Sequence, residues 1–133
     1  MKRAAALLAA LALAGCGATP ADLFVVKRSG SGRNARLTLR VQDDGYVSCN
    51  GRRHQLSSQQ LLDARALARD LASEAQLHVE LPPGPRSVLS YRVELQAGHV
   101  AFSDTSRPLP GAFARLTAFT ADISEAVCGV NRQ

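Results

Sequence analysis

The chain has 133 residues and a formal net charge of +5; 46% of its residues are hydrophobic and 5% are aromatic. This length supports one domain with a single modest core. The basic excess comes without a long basic run and without aromatic residues between the arginines, which argues against a nucleic-acid-binding protein.

The N-terminus has the layout of a secretory signal peptide that ends in a lipobox. Lys2 and Arg3 give a positive start, and an uncharged run of alanine and leucine over residues 4–14 leads to Gly15 and Cys16. This run is shorter than the about 20 apolar residues that a transmembrane helix needs. A plain signal peptide followed by an unmodified cysteine is the alternative interpretation.

We expect residues 1–15 to be a lipoprotein signal peptide and Cys16 to carry a diacylglyceryl group and further acyl chains such as palmitate. Residues 16–21 would be the tether, and residues 22–133 would form a single globular domain. Two or three acyl chains hold a protein firmly on a bilayer. The predicted location is therefore outside the cytoplasm, at the bacterial cell membrane, with the lipid on Cys16 as the membrane contact.

Two cysteines remain after Cys16, and they predict a disulfide bond. An exported protein meets an oxidising compartment, so we expect Cys49 and Cys128 to pair; two buried free thiols are the alternative. The three histidines stand isolated in the sequence and do not have the spacing of metal ligands: His54, His78 and His99. We expect no metal site and no cofactor.

The first third of the domain predicts three strands. Residues 22–28 are rich in β-formers, and residues 37–42 alternate between apolar and polar side chains, which indicates a half-buried strand. Asp-Asp-Gly at 43–45 is a hairpin signal, and residues 46–49 would return as the third strand. The basic residues 52–54 are interpreted as a solvated turn.

A helix is predicted next. Ser57 and Gln60 fit a capping box, and good helix formers follow to about Ser73. Residues 76–81 alternate briefly and predict either an edge strand or extended coil. The prolines that follow, over residues 82–85, end it because proline cannot donate to a ladder.

The last third predicts a hairpin and a second helix. Residues 89–95 alternate strictly, Ala97-Gly98 supplies a turn, and Val100 and Phe102 continue on the return strand. Pro110 suits the first turn of a helix. Apolar and small residues then recur at helical spacing as a core-facing stripe: Phe113, Leu116, Phe119, Thr120, Ile123 and Val127.

The predicted fold is α+β. Strands joined by tight turns pair antiparallel, and two amphipathic helices need a common apolar surface. We expect a sheet of about five antiparallel strands with both helices packed on one face, in the order βββα(β)ββα.

In this order of elements the chain resembles the emfourins, small bacterial protein inhibitors of thermolysin-like zinc metallopeptidases. The resemblance covers most of residues 22–125. It is carried by an opening strand ending in Arg-Ser-Gly at 28–30, the proline-rich break, the hairpin around Tyr-Arg-Val at 91–93, and Leu-Pro at 109–110. Residues 43–55 are an insertion relative to that pattern. The sequence also resembles lipoproteins of actinobacteria with high-GC genomes.

The resemblance implies a binding loop after the first strand. The residues that would contact a partner are Arg28, Ser29, Gly30, Ser31 and Arg33. A plain hairpin turn is the alternative interpretation of the same residues. If the loop were inhibitory, it would occupy the substrate cleft of a secreted peptidase and exclude the attacking water.

No catalytic motif accompanies these features. Gly-x-Ser-x-Gly is absent from the sequence, and Asp43 and Asp44 sit where a turn requires aspartate for backbone reasons. We therefore expect a binding protein rather than an enzyme. The leading hypothesis is a lipid-anchored module that binds another envelope protein. An emfourin-like peptidase inhibitor is the alternative, and a carrier of a small apolar ligand is a third.

Overall fold

The structure, a computed structural model, describes residues 22–130. The predicted signal peptide, Cys16 and the tether lie outside this range. In chain order the described elements are β1 (Asp22–Gly30), β2 (Leu37–Gln42), β3 (Tyr46–Cys49), β4 (Arg52–Gln55), α1 (Ser58–Gln76), β5 (Leu89–Leu95), β6 (Gly98–Ser103) and α2 (Gly111–Ala126). The predicted α+β class and both helices are confirmed, and the sheet has six strands where about five were predicted.

The strands form one antiparallel sheet in the order β4-β3-β2-β1-β5-β6. β1 lies in the interior, where Val26 is opposite Leu39 of β2 and Val93 of β5. The first strand of the domain therefore joins the N-terminal strands to the C-terminal hairpin. This pairing creates one continuous sheet from segments that are far apart in sequence.

One face of the sheet is apolar and carries both helices. Alternate residues of five strands are fully buried on it, including Phe24, Val26, Leu37, Leu39, Val41, Val47, Val93 and Val100. α2 contacts this face through Phe113, which stacks on Phe102 at 4.8 Å between ring centroids, and through Phe119, which meets Phe24 edge-on at 5.8 Å. The buried side of α1 joins the same core. The helices cover the apolar face because removal of apolar surface from water stabilises the folded state by about 25 cal/mol per Å².

α1 begins with the predicted capping box. The backbone N–H of Gln60 donates to Oγ of Ser57 at 3.1 Å, and the backbone N–H of Ser57 donates to Oε1 of Gln60 at 2.9 Å. The helix continues to Gln76, beyond the predicted end near Ser73. In the extended segment that follows, Glu80 forms an isolated β-bridge with Ala101 of β6.

The prediction of a solvated turn at residues 52–54 is wrong. These residues belong to β4, which pairs with β3 from the Cys49–Arg52 pair to the Tyr46–Gln55 pair. The sequence pattern is misleading here because β4 has a neighbour on one side only and its side chains are mostly exposed. No apolar alternation is required of such a strand.

A disulfide bond joins Cys49 and Cys128, with 5.8 Å between their Cα atoms. The predicted pairing is confirmed. It links the end of β3 to the residues directly after α2, and closes a loop with a sequence separation of 79. The bond therefore fixes the C-terminal end of the helical layer to the strand next to the sheet edge.

The two ends of the sheet differ in what they carry. We call the end where β1 begins, at Asp22, the proximal end; it also holds the turns 43–45 and 96–97. The end where β1 finishes, at Gly30, is the distal end. α1 crosses the proximal end, since Arg65 Nε donates to Asp43 Oδ1 at 2.7 Å in the first of these turns.

Candidate functional site

Arg28, the first residue of the predicted binding loop, lies inside the protein. It shares the apolar face of the sheet and is 4% exposed. Its Nε donates to the carbonyl oxygen of Ala35 at 3.0 Å, and its terminal nitrogen donates to that of Asn34 at 3.1 Å. The guanidinium thus supports the loop between β1 and β2 from within, and any effect of Arg28 on a partner is indirect.

The other predicted residues lie at the distal end of β1 and in the loop that follows it. Ser29 and Gly30 are the exposed last residues of β1, and Ser31 and Arg33 follow in the loop and are also exposed. Gly30 is pressed against the neighbouring loop, because a Cβ atom there would lie 2.1 Å from the carbonyl oxygen of Val88. The close approach requires glycine at this position.

Three loops interlock at the distal end: residues 31–36, 82–88 and 104–107. The N–H of Ser31 donates to the carbonyl oxygen of Val88 at 3.3 Å, and the N–H of Val88 donates to Oδ1 of Asp104 at 3.2 Å. The hydroxyl of Ser106 donates to the carbonyl oxygen of Pro82 at 2.9 Å. We call the exposed residues of these three loops the distal surface.

The distal surface is basic. It carries four exposed arginines, Arg33, Arg36, Arg86 and Arg107. The three loops contain a single acidic residue, Asp104. The carboxylate of Asp104 accepts a hydrogen bond from the backbone N–H of Val88. Arg107 donates to the backbone oxygen of Ser106 at 2.7 Å. Guanidinium groups on a rigid support bind carboxylates in a two-pronged geometry. The arrangement is therefore suited to an acidic surface of another molecule.

Sequence reasoning found part of this surface. The resemblance to emfourins implied Ser31 and Arg33 as contact residues, but the arginines at 36, 86 and 107 were not predicted. The only sequence signal for Arg86 is its place directly after the proline-rich break. Strand order brings the three loops that carry these arginines together, since β5 lies between β1 and β6.

A groove of about 380 Å³ opens on the solvent side of the sheet, beside the distal surface. Ser29 and Ser90 line its floor, and Leu81 and Pro83 form one wall. At its proximal limit, Lys27 Nζ donates to Oε1 of Glu94 at 3.2 Å. This hydrogen bond from Lys27 is the main reason that the pKa of Glu94 lies below its usual 4.5.

A second groove, of about 600 Å³, lies between α1 and the proximal end of the sheet. Its lining mixes apolar residues such as Leu23 with the charged Asp22, Asp43 and Arg65. Four of the ten residues that line this groove are charged, so it offers a ligand a mixed rather than an apolar surface. Among residues 22–130, no group of three or more His, Cys, Asp or Glu side chains is placed to hold a metal ion.

Comparisons of the chain with known protein families, with curated proteins and with solved structures give no match. The resemblance to emfourins and to actinobacterial lipoproteins therefore stays a hypothesis. Within the described part of the chain, no helix is long and apolar enough to cross a membrane.

Proposed function

We propose that this chain is a lipid-anchored module of the bacterial cell envelope that binds another protein through its distal surface. The observation that carries the proposal is the position of four exposed arginines on three interlocked loops. These loops lie at the opposite end of β1 from Asp22, where the tether would enter the domain.

Anchoring at Cys16 would orient this surface. β1 has nine residues, and a strand of that length spans about 30 Å. With the lipid on the proximal side, the arginines would face away from the bilayer and towards soluble or neighbouring envelope proteins. Acidic groups on the partner would complement the charge and speed the encounter.

The anchor is tested by fractionation of cells that express the chain or its Cys16→Ser variant. We expect the unchanged protein in the membrane fraction and the variant in the soluble extracytoplasmic fraction or uncleaved. Mass spectrometry of the N-terminal peptide should find a diacylglyceryl group on Cys16. An unmodified Cys16 in an exported protein would refute lipid anchoring.

Partner binding is tested by a photo-crosslinking amino acid placed at Arg33 or Arg86 in living cells. A matched control carries it at Arg69, which is exposed on α1 at the other end of the sheet. We expect the same discrete crosslinked species from both distal positions and none from position 69. Equal crosslinking from all three positions would contradict a dedicated distal surface.

A second candidate function, inhibition of a secreted thermolysin-like metallopeptidase, is favoured by the internal support of the loop 31–36. An inhibitor loop must be held rigidly to bind without being cleaved, and Arg28 provides such support through two carbonyl oxygens. Titration of the protein against thermolysin-like peptidases with a small peptide substrate tests this. Competitive inhibition that Arg33→Glu weakens and Arg69→Glu does not would favour the inhibitor. If the protein inhibits none of several such enzymes at about micromolar concentration, the resemblance concerns the fold only and docking remains the proposed function.

A further inference from the structure

The sheet has one open edge in the described part of the chain. β6 lies at one side of the sheet, where the segment after α1 covers it. There, the N–H of Leu81 donates to the oxygen of Ala101 at 2.8 Å, and the N–H of Ala101 donates to the oxygen of Val79 at 3.0 Å. β4 lies at the other side, and no described strand pairs with its outer side.

The turn before β4 determines which backbone groups face outward. Asn50 and Gly51 have φ values of 49° and 90°, as in a two-residue hairpin turn with both central residues left-handed. Such a turn is closed by a hydrogen-bonded pair, here Cys49 and Arg52. Hydrogen-bonded and non-bonded pairs alternate along an antiparallel ladder. The N–H and C=O groups of Arg53 and Gln55 therefore point away from β3, into the open edge.

The edge hairpin is held in place from two sides. Cys49, the last residue of β3, forms a disulfide bond with Cys128, which follows α2 in sequence. The N–H of Leu56, which follows β4, donates to the carbonyl oxygen of Gly45 at 2.8 Å. A strand fixed at both ends loses little further freedom when another strand pairs with it. The edge is thus already in the conformation that strand addition requires.

Charge selects among the possible occupants of this edge. Arg52 and Arg53 are consecutive and exposed, one on each face of the sheet. The guanidinium of Arg53 lies 3.6 Å over the ring of Tyr46, with Asp44 as its acidic neighbour at 3.2 Å. Two copies joined edge to edge would place these arginines near one another, and opposed like charges destabilise paired strands. An acidic strand would instead place carboxylates beside these arginines, and opposite charges stabilise paired strands.

We propose that β4 accepts an extended acidic segment of a partner protein as an additional strand of the sheet. The segment bonds to the outward backbone groups of Arg53 and Gln55, and its carboxylates lie beside Arg52 and Arg53. Pairing of this kind takes affinity from main-chain hydrogen bonds and selectivity from alternate side chains. The proposal does not depend on the distal surface, which is formed by other loops.

The test uses the exported protein, purified in detergent, and a fluorescent capped peptide of alternating Glu and Val. A matched peptide has Lys in place of Glu, and a third has N-methyl groups on its bonding edge. We expect the acidic peptide to bind and to slow hydrogen exchange at residues 52–56. The Lys peptide and the N-methylated peptide should each bind about tenfold more weakly.

Variants of Gln55 separate the backbone from the side chain. Gln55→Pro removes an outward N–H without changing the charge, and an edge strand tolerates proline at such a position. We expect about tenfold weaker binding for Gln55→Pro and little change for Gln55→Ala. Arg69→Glu, an exposed change on α1, should leave peptide binding unchanged. If Gln55→Pro does not fold, the N-methylated peptide still tests the same bonds on the intact protein.

Three outcomes would overturn the proposal. The first is no binding of the acidic peptide at about 1 mM, which would mean that the arginines only protect the edge from aggregation. The second is equal binding of the Glu and Lys peptides. The third is protection from exchange at the distal loops instead of residues 52–56.

Discussion

Arg28 and Ala35 are joined by a buried hydrogen bond of 3.0 Å, from Nε of the arginine to the carbonyl oxygen of the alanine. Both residues are nearly inaccessible, at 4% and 5% exposed. Between them the chain turns through Asn34, whose φ is 62°. The strand thus supplies, from its own apolar face, the donor that fixes the shape of the loop after it.

Replacement of Arg28 by Met should destabilise the protein. Arg28→Met keeps much of the side-chain bulk but leaves the buried carbonyl oxygen of Ala35 without this donor. Loss of such a bond costs about 1–3 kcal/mol in the free energy of unfolding, which denaturant titration measures. Hydrogen exchange of residues 31–36 should become faster. Arg33→Met is the control, and an exposed change there should stay within about 0.5 kcal/mol; equal effects of the two variants would contradict the supporting role of Arg28.

Two glycines of the same region should respond differently to alanine. A Cβ atom at Gly30 would lie 2.1 Å from the carbonyl oxygen of Val88, whereas one at Gly32 would meet nothing within 4 Å. Gly30→Ala must displace the loop 82–88 and should cost about 1–3 kcal/mol. Gly32→Ala should be neutral or stabilising by up to about 1 kcal/mol. Thermal unfolding of the two variants checks this, and similar melting temperatures would show that loop 82–88 moves freely.

Removal of the disulfide bond should lower stability strongly. The bond closes a loop with a sequence separation of 79, for which the chain-entropy model gives about 4–5 kcal/mol. The double variant Cys49→Ala/Cys128→Ala should therefore unfold at much lower denaturant concentration. A reducing agent should destabilise the unchanged protein and leave the double variant unaffected. An effect of the reductant on both proteins would point to another cause.

The ion pair of Lys27 and Glu94 should produce a weak pH dependence. Because Lys27 lowers the pKa of Glu94 below 4.5 in the folded protein, folding is favoured while this carboxylate is charged. The contribution is complete above the unfolded-state pKa and is lost as the pH falls through the lowered folded-state pKa. Since the two side chains are 52% and 44% exposed, the effect on stability is small.

The pKa itself gives the sharper readout for this pair. An NMR titration of the Glu94 carboxyl carbon should give a higher pKa in Lys27→Met than in the unchanged protein. Thr38→Met, a change at the position opposite Lys27 on β2, is the control and should leave the titration unchanged. An identical Glu94 titration in Lys27→Met would mean that the hydrogen bond does not persist in solution.

Features that depend on neighbouring residues were predictable from the sequence. The capping box of Ser57 and Gln60 was one of them, and the alternation of β2 and β5 was another. In each case a few adjacent side chains determine the local backbone. The Cys49–Cys128 bond was also predictable, because only two cysteines remained once Cys16 was assigned to the lipid.

β4 could not be predicted from the alternation of its own side chains. Its four residues, Arg52–Gln55, carry no apolar alternation, because they lie at a sheet edge where most of the side chains are exposed. The strand forms because the turn at Asn50 and Gly51 directs the chain back along β3. Its stability comes from the ladder with β3 and not from burial of its own side chains.

The sequence by itself determined the class of fold, the order of most elements, the disulfide pair and one part of the candidate site. Only the tertiary structure decided that Arg28 is internal and that Arg86 shares one surface with Arg33. These positions are brought together by the pairing of β1 with β5, strands separated by nearly sixty residues. Apolar alternation specifies which face of a strand is buried, but not which strand lies beside it. That choice depends on how the whole core packs.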